Sequence, residues 1–208
     1  MTVTQSNEIR KTFVVQSCER KEIKEFIETW HYSQSINGLQ STHCFQMLKD
    51  NQIIGAAIFG GLAMHNQWKR FASSQNDVIE LRRLCCIDNT PKNTESFFIG
   101  QMLRWLKKNT EFKVVVSYAD AEFGHQGTIY KASNFQKLDF RKGAKVIDWN
   151  GKRYHDKSLR TKYKGDLKPF AVRLKNALDI GEAHYVETKG KFTYIYDLRA
   201  QGVKNATV

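Results

Sequence analysis

The stretch VIELRRLCCI (78–87), followed by NTPKNTESFFIGQMLRWLKKN (89–109), FKVVVSYAD (112–120) and AEFGHQGTIYKASNF (121–135), decides the fold. It reads strand, helix, strand, helix. The first piece is apolar except for the charged patch Glu80–Arg83. Asn93 or Thr94 can cap the helix that follows, because a side-chain oxygen there takes an orphan amide proton. Phe98, Met102, Trp105 and Leu106 recur at helical spacing and form one apolar stripe. Lys107 and Lys108 stand at the end of the helix, where its dipole favours cations. The β-branched run Val114–Val116 predicts a buried strand that ends in Ser117, Tyr118 and Asp120. Polar groups where a strand of an open sheet runs out are common site formers. Gly124 and Gly127 break the chain before a short helix carrying Tyr130.

Outside this stretch, composition bounds the partners. The 208 residues carry a net charge of +12. That excess points to a polyanion, and nucleic acid is the commonest one; the plain alternative is a generic basic surface. A hydrophobic share of 41% with 12% aromatics predicts a folded chain. Cys18, Cys44, Cys85 and Cys86 show no CxxC spacing and read as reduced, structural thiols of a cytoplasmic protein. No signal peptide and no apolar run near ~20 residues is visible, so no membrane partner is expected.

Residues 1–12 are polar and read as a loose start. A strand is expected over Thr12–Gln16, then a helix from about Glu19 to Trp30 capped by Ser17. That helix delivers His31, Tyr32 and Ser33 into a loop. Cys44–Leu48 and Gln52–Phe59 predict a hairpin around Asp50-Asn51. Leu62–Asp77 is an irregular excursion with Trp68, Lys69, Arg70 and Phe71. Aromatic and basic residues interleaved in this way suit base stacking and phosphate contact, or equally a loop anchored by its rings.

After Phe135 the composition shifts. Residues 137–175 hold 13 Lys and Arg against four Asp, a net +9. Arg153, Lys157, Arg160 and Lys162 are candidate phosphate contacts, with Tyr154, His155 and Tyr163 among them. Asn150-Gly151 fits a type I′ hairpin turn. A helix is expected over Asp166–Asp179, and strands over His184–Thr188 and Phe192–Leu198. The expected organisation is a core over 1–136 and a basic α+β extension over 137–208, together one compact domain.

Strand, helix, strand, then a helix with Tyr130 and Asn134-Phe135 resembles the core of the GNAT acyltransferases. The resemblance implies an α/β fold: a mixed, mostly antiparallel central sheet flanked by helices. HYS (31–33), ELRRL (80–84), SYAD (117–120) and GHQGTIYKASNF (124–135) in this order resemble more narrowly the bacteriophage Mom family. It implies a transferase that places a carbamoylmethyl or acetamido-type group on the exocyclic N6 amine of adenine in double-stranded DNA, with the base flipped out where pairing hides that amine, and so protects the DNA from host restriction. It also implies functional roles for His31, Tyr32 and Ser96.

Asp120 is the candidate base, or with His31 a metal ligand for an ion such as iron. Tyr130 takes the place of the tyrosine that protonates a departing thiolate in GNAT enzymes. Arg82, Arg83, Asn93, Thr94, Ser117 and Tyr118 are candidates for holding an acetyl-CoA-like donor. Strand alternation lets one of the two arginines face the site. The family's phosphate loop is glycine-rich, whereas Asn89–Ser96 has no glycine, and the departure weighs against acetyl-CoA. His125 is a weaker candidate. Structural roles remain open for each: Ser96 as a first-turn residue, Asp120 as a helix cap, Tyr130 as a half-buried ring. The alternatives in function are a non-catalytic DNA-binding or anti-restriction protein, and an acyltransferase acting on protein or RNA.

Overall fold

The computed structural model describes Ile9 and residues 11–199. Most of the polar start 1–12 thus lies outside the described residues; of it, Ile9 is buried. The elements are Val14–Cys18 (β1), Arg20–Trp30 (α1), His43–Lys49 (β2), Gln52–Gly60 (β3), Val78–Cys86 (β4), Thr94–Asn109 (α2), Val114–Asp120 (β5), Thr128–Ala132 (α3) and Gln136–Arg141 (β6). They continue with Lys145–Trp149 (β7), Lys152–His155 (β8), Lys162–Tyr163 (β9), Asp166–Leu167 (β10), Pro169–Asp179 (α4), Ala183–Glu187 (β11) and Lys191–Asp197 (β12). The main sheet has seven strands in the order β1-β2-β3-β4-β5-β12-β6. From β1 to β4 the pairing is antiparallel, and β4 with β5 is parallel. This is the mixed, mostly antiparallel sheet flanked by helices that the sequence predicts.

Local chemistry explains the elements. Asp50 and Asn51 both take positive φ, 49° and 63°, and close the β2–β3 hairpin as a two-residue turn. The expected cap Ser17 lies inside β1; Glu19 precedes α1, and its amide donates to the Glu22 carboxylate at 2.5 Å. On α1, Ile23 and Ile27 are fully buried and pack with Ile36, Leu39, Cys44, Ala56 and Ile58. Each such side chain contributes roughly 1.5–3 kcal/mol of burial. The stripe on α2 is buried as expected through Phe98, Met102 and Leu106, while Trp105 packs edge-on against Phe45 at 5.2 Å.

By contacts the chain forms two units. The first holds 1–119, 127–139 and 193–208; the second holds 120–126 and 140–192. Of the described residues, those from Thr193 on belong to the first unit again. In the second unit β11, β7 and β8 form a sheet, and α4 packs Leu174 and Ala177 on Ile147 and Ala183. Asn150 and Gly151 make the β7–β8 turn with φ of 52° and 70°. The expected helix from Asp166 begins at Pro169 instead, because proline restricts Lys168 to extended backbone and suits the first helical position. No helix among the described residues is long and apolar enough to cross a membrane.

Candidate functional site

The site begins where β4 and β5 part. Their parallel pairing stops at Leu81 opposite Ser117, although β4 runs on to Cys86. At that point Arg82 is an extra residue in the β3–β4 ladder, since Phe59 faces Leu81 and Ile58 faces Arg83. A bulge of this kind bends a strand and re-aims its side chains. The two arginines bond different carbonyls. Arg82 donates to the Gly61 carbonyl at 2.9 Å. Arg83 donates to the Ser35 carbonyl at 3.4 Å and lies in the field of Tyr32 and Glu80.

Tyr130 is the centre of this group. It is nine-tenths buried, packed on Tyr194 at 5.3 Å and on Phe135 at 5.5 Å. Burial pushes its phenol up to about 12, the Ser117 hydroxyl pulls the other way, and the neighbouring Tyr32, Glu80 and Tyr194 add to the rise. The phenol therefore keeps its proton across the neutral range and can donate it. Ser117 is fully buried, and its hydroxyl donates to the Leu81 carbonyl at 3.2 Å. Glu80 is a further candidate that the sequence reading leaves unassigned. It is only 9% exposed, and its charge reaches both Arg83 and Tyr130. A lone acid at a core-facing position of an apolar strand is the signal that marks it, because a buried charge is costly unless partnered or used.

The HYS loop is held over α1 by chemistry of its own. Arg20 forks onto the carbonyls of Leu39 and Ile36 at 2.7 and 2.5 Å. The amide of Ser33 donates to His31 Nδ1 at 3.0 Å, which puts the proton of a neutral ring on Nε2. His31 is buried and stacks on Tyr32 at 4.2 Å, whereas Tyr32 is 45% exposed. Tyr32, Glu80, Arg83, Ser117 and Tyr130 thus form one electrostatic group, with His31 against Tyr32.

Other candidates have different surroundings. Asp120 belongs to the second unit, where Oδ1 accepts the Glu122 amide at 3.1 Å and Oδ2 pairs with Lys191 at 2.9 Å. That is a cap and an ion pair, the structural role left open in the sequence. His125 is exposed, and its amide donates to the Asp120 carbonyl at 3.2 Å. Tyr118 accepts from Gln67 at 2.6 Å and ties down the 62–77 excursion, which Arg70 also anchors on Asp139 at 2.7 Å. Lys69 lies 5.6 Å from the Trp68 ring. In the second unit Arg153 pairs with Glu122 at 2.9 Å and Arg160 with Asp156 at 2.5 Å, while Lys157 and Lys162 are exposed without an ion pair among the described residues.

The loop before α2 departs from a glycine-rich phosphate loop. Asn93 caps the helix through left-handed backbone, φ 71°, and makes no side-chain cap bond. The Thr94 amide and hydroxyl both turn onto the Pro91 carbonyl, at 3.2 and 2.7 Å, and the Ser96 hydroxyl donates to Asn93 at 3.0 Å. Pro91 has no amide to offer, and Glu95 brings a carboxylate to the first turn. The parting of β4 and β5 suits an extended donor arm, while the loop has no glycine and turns its Thr94 amide inward. Among the described residues no three His, Cys, Asp or Glu gather as a metal site.

The fold is that of the GNAT acetyltransferases. An acetyl-CoA complex of NAA60 from Arabidopsis thaliana aligns with a TM-score of 0.53 at 10% identity, over 91% of this chain and 100% of that one. A GNAT acetyltransferase of Elizabethkingia anophelis with acetyl-CoA bound gives 0.52 at 10% identity, over 89% and 98%. Within that fold the chain belongs to the Mom protein family, whose model matches residues 12–207. It is 25% identical over 155 residues to the methylcarbamoylase Mom of Escherichia phage Mu, covering 72% of this chain and 63% of that relative's length.

Proposed function

We propose that this protein is a DNA-modifying transferase that attaches a small amide-bearing group, of carbamoylmethyl, acetamido or methylcarbamoyl type, to the exocyclic N6 amine of adenine, and that the mark shields phage DNA from host restriction. The observation that carries it is the buried group of Glu80, Ser117 and Tyr130 at the parting of β4 and β5, in a Mom-family chain. In this reading Glu80 takes the amine proton as the new carbon–nitrogen bond forms, and the neutral Tyr130 phenol donates to the departing group. A binding protein alone has no use for a carboxylate and a phenol buried together. The name of the phage Mu relative supports a methylcarbamoyl-type group, and the net charge of +12 supports DNA as partner. Plasmid from expressing cells should contain a modified deoxyadenosine by intact-nucleoside mass spectrometry and resist cleavage; only the four ordinary nucleosides, with folded protein abundant, rejects the reading.

The grip on phosphate falls to lysines that carry no internal ion pair. Lys157→Ala, Lys162→Ala and Lys164→Ala together should flatten the slope of log affinity against log salt by up to about 3. Arg153→Ala with Arg160→Ala should change it less, because Glu122 and Asp156 already neutralise those guanidinium groups. Filter binding at graded salt separates the two sets. Equal slopes in all three proteins would move the phosphate contacts to Lys69 and Arg70.

A further inference from the structure

We infer that the first unit carries a nucleobase pocket under the 62–77 excursion. A cavity of about 450 Å³ lies there, lined among others by Gln40, Gln75, Asn76, Trp68, Phe112 and Arg82. That volume is within the range of about 300–1,000 Å³ typical of ligand pockets. Its chemistry selects the ligand. Carboxamides recur along the wall, and a carboxamide is the side chain that pairs in bidentate fashion with N6 and N7 of adenine. Trp68 and Phe112 offer flat rings, on which a base can stack. No acid is among the described residues that line it, so the cavity is not built for a cation or a free amine. Arg82 supplies one positive charge, suited to the phosphate that accompanies a nucleotide.

The pocket is also built rather than incidental. The β4 bulge takes Arg82 out of the ladder, and its bond to Gly61 fixes it on the cavity wall. Gly60 lets the chain at Gln40 cross: a Cβ there would stand 2.2 Å from the Gln40 carbonyl oxygen and 3.3 Å from Arg82 Cδ. The hydrogen bond from Gln67 to Tyr118 holds the roof of the excursion down. This proposal rests on DNA being the substrate, and it assigns these residues to the recognition of an extruded adenine.

The test is binding, with no chemistry in the readout. A short abasic strand bearing one central adenine is compared with the same strand bearing no base, by anisotropy. Wild type should prefer the adenine strand by about tenfold or more, the scale of one stacked and paired base. Gln40→Ala with Asn76→Ala, two exposed positions, should erase the preference while leaving affinity for the baseless strand unchanged. Trp68→Ala should erase it too, and Trp68→Phe should keep most of it. No preference in wild type, or an undiminished one in the double variant, overturns the pocket. A preference lost in the variants supports it even where nucleoside analysis finds no modified adenine, which is the result that would end the transfer reading instead.

Discussion

Replacing Glu80 by Gln should lower group transfer to DNA by a factor on the order of 10²–10⁴, the usual worth of a positioned acid or base. The amide matches the carboxylate in shape, so a side chain only 9% exposed should not disturb the packing around it. DNA affinity and salt slope should stay as in wild type, because Glu80 faces Arg83 and Tyr130 rather than the basic surface. Tyr130→Phe should lower transfer as well, again with binding kept. The pH dependence follows from the same burial. The phenol is raised to about 12, so it stays protonated where an ordinary tyrosine begins to ionise, and the rate should not fall through Tyr130 below about pH 10. Stability takes the opposite course. Above pH 10 the unfolded chain loses this proton while the native state keeps it, so the contribution of Tyr130 declines as pH rises towards 12. Single-turnover transfer beside filter binding decides the matter: an unchanged rate in Glu80→Gln would leave Glu80 as a partner of Arg83 and nothing more.

The weight that this places on Glu80 rather than Asp120 shows what was legible in the sequence. Val78–Phe135 could be read correctly because each element there carries its own signal. The α2 stripe has helical period, Val114–Val116 is β-branched, and Gly124 and Gly127 interrupt the chain. Asp120 drew attention because it ends a strand. Its partner Lys191 stands far along the chain on β12, and no local pattern announces that pairing. The role of Glu80 depends on where β4 stops pairing with β5 and on the extra residue at Arg82, and both are properties of neighbouring strands. Ser96 illustrates the converse: its first-turn hydrogen bond to Asn93 is local, and that structural role was visible from position alone.

The end of the chain was harder for a similar reason. The strands expected over His184–Thr188 and Phe192–Leu198 follow one another across Lys189-Gly190. They join different sheets, β11 beside β7 and β12 beside β5. The crossing is tight, with Gly190 so close to Arg141 that a Cβ would lie 2.3 Å from its carbonyl oxygen, and Gly143 closer still to Thr188, where a Cβ would lie 1.6 Å from the carbonyl oxygen. Two glycines far apart in sequence make the crossing possible, and neither announces the other. Tyr194 then arrives against Tyr130 from the far end of the chain.

That arrival sets the last expectation. Gly127→Ala should destabilise the protein by about 3 kcal/mol, more than Gly124→Ala in the same GHQG segment. The two glycines have almost the same backbone, φ of 73° and 74°, so both substitutions meet the left-handed penalty of roughly 1–2 kcal/mol. Their surroundings differ. A Cβ on Gly124 would meet nothing within 4 Å, whereas one on Gly127 would stand 2.2 Å from Tyr194 Cε2 and 2.6 Å from its hydroxyl oxygen. Tyr194 cannot yield, being fully buried against Tyr130, so the overlap adds a packing cost of about 1–3 kcal/mol. Any shift that relieves it moves Tyr194 away from Tyr130, and transfer should fall along with stability. Urea unfolding of both variants, read beside transfer at a temperature where each is folded, separates the terms. Equal losses of stability at the two glycines would mean that Tyr194 has room to move, and that the phenol of Tyr130 is not held from that side.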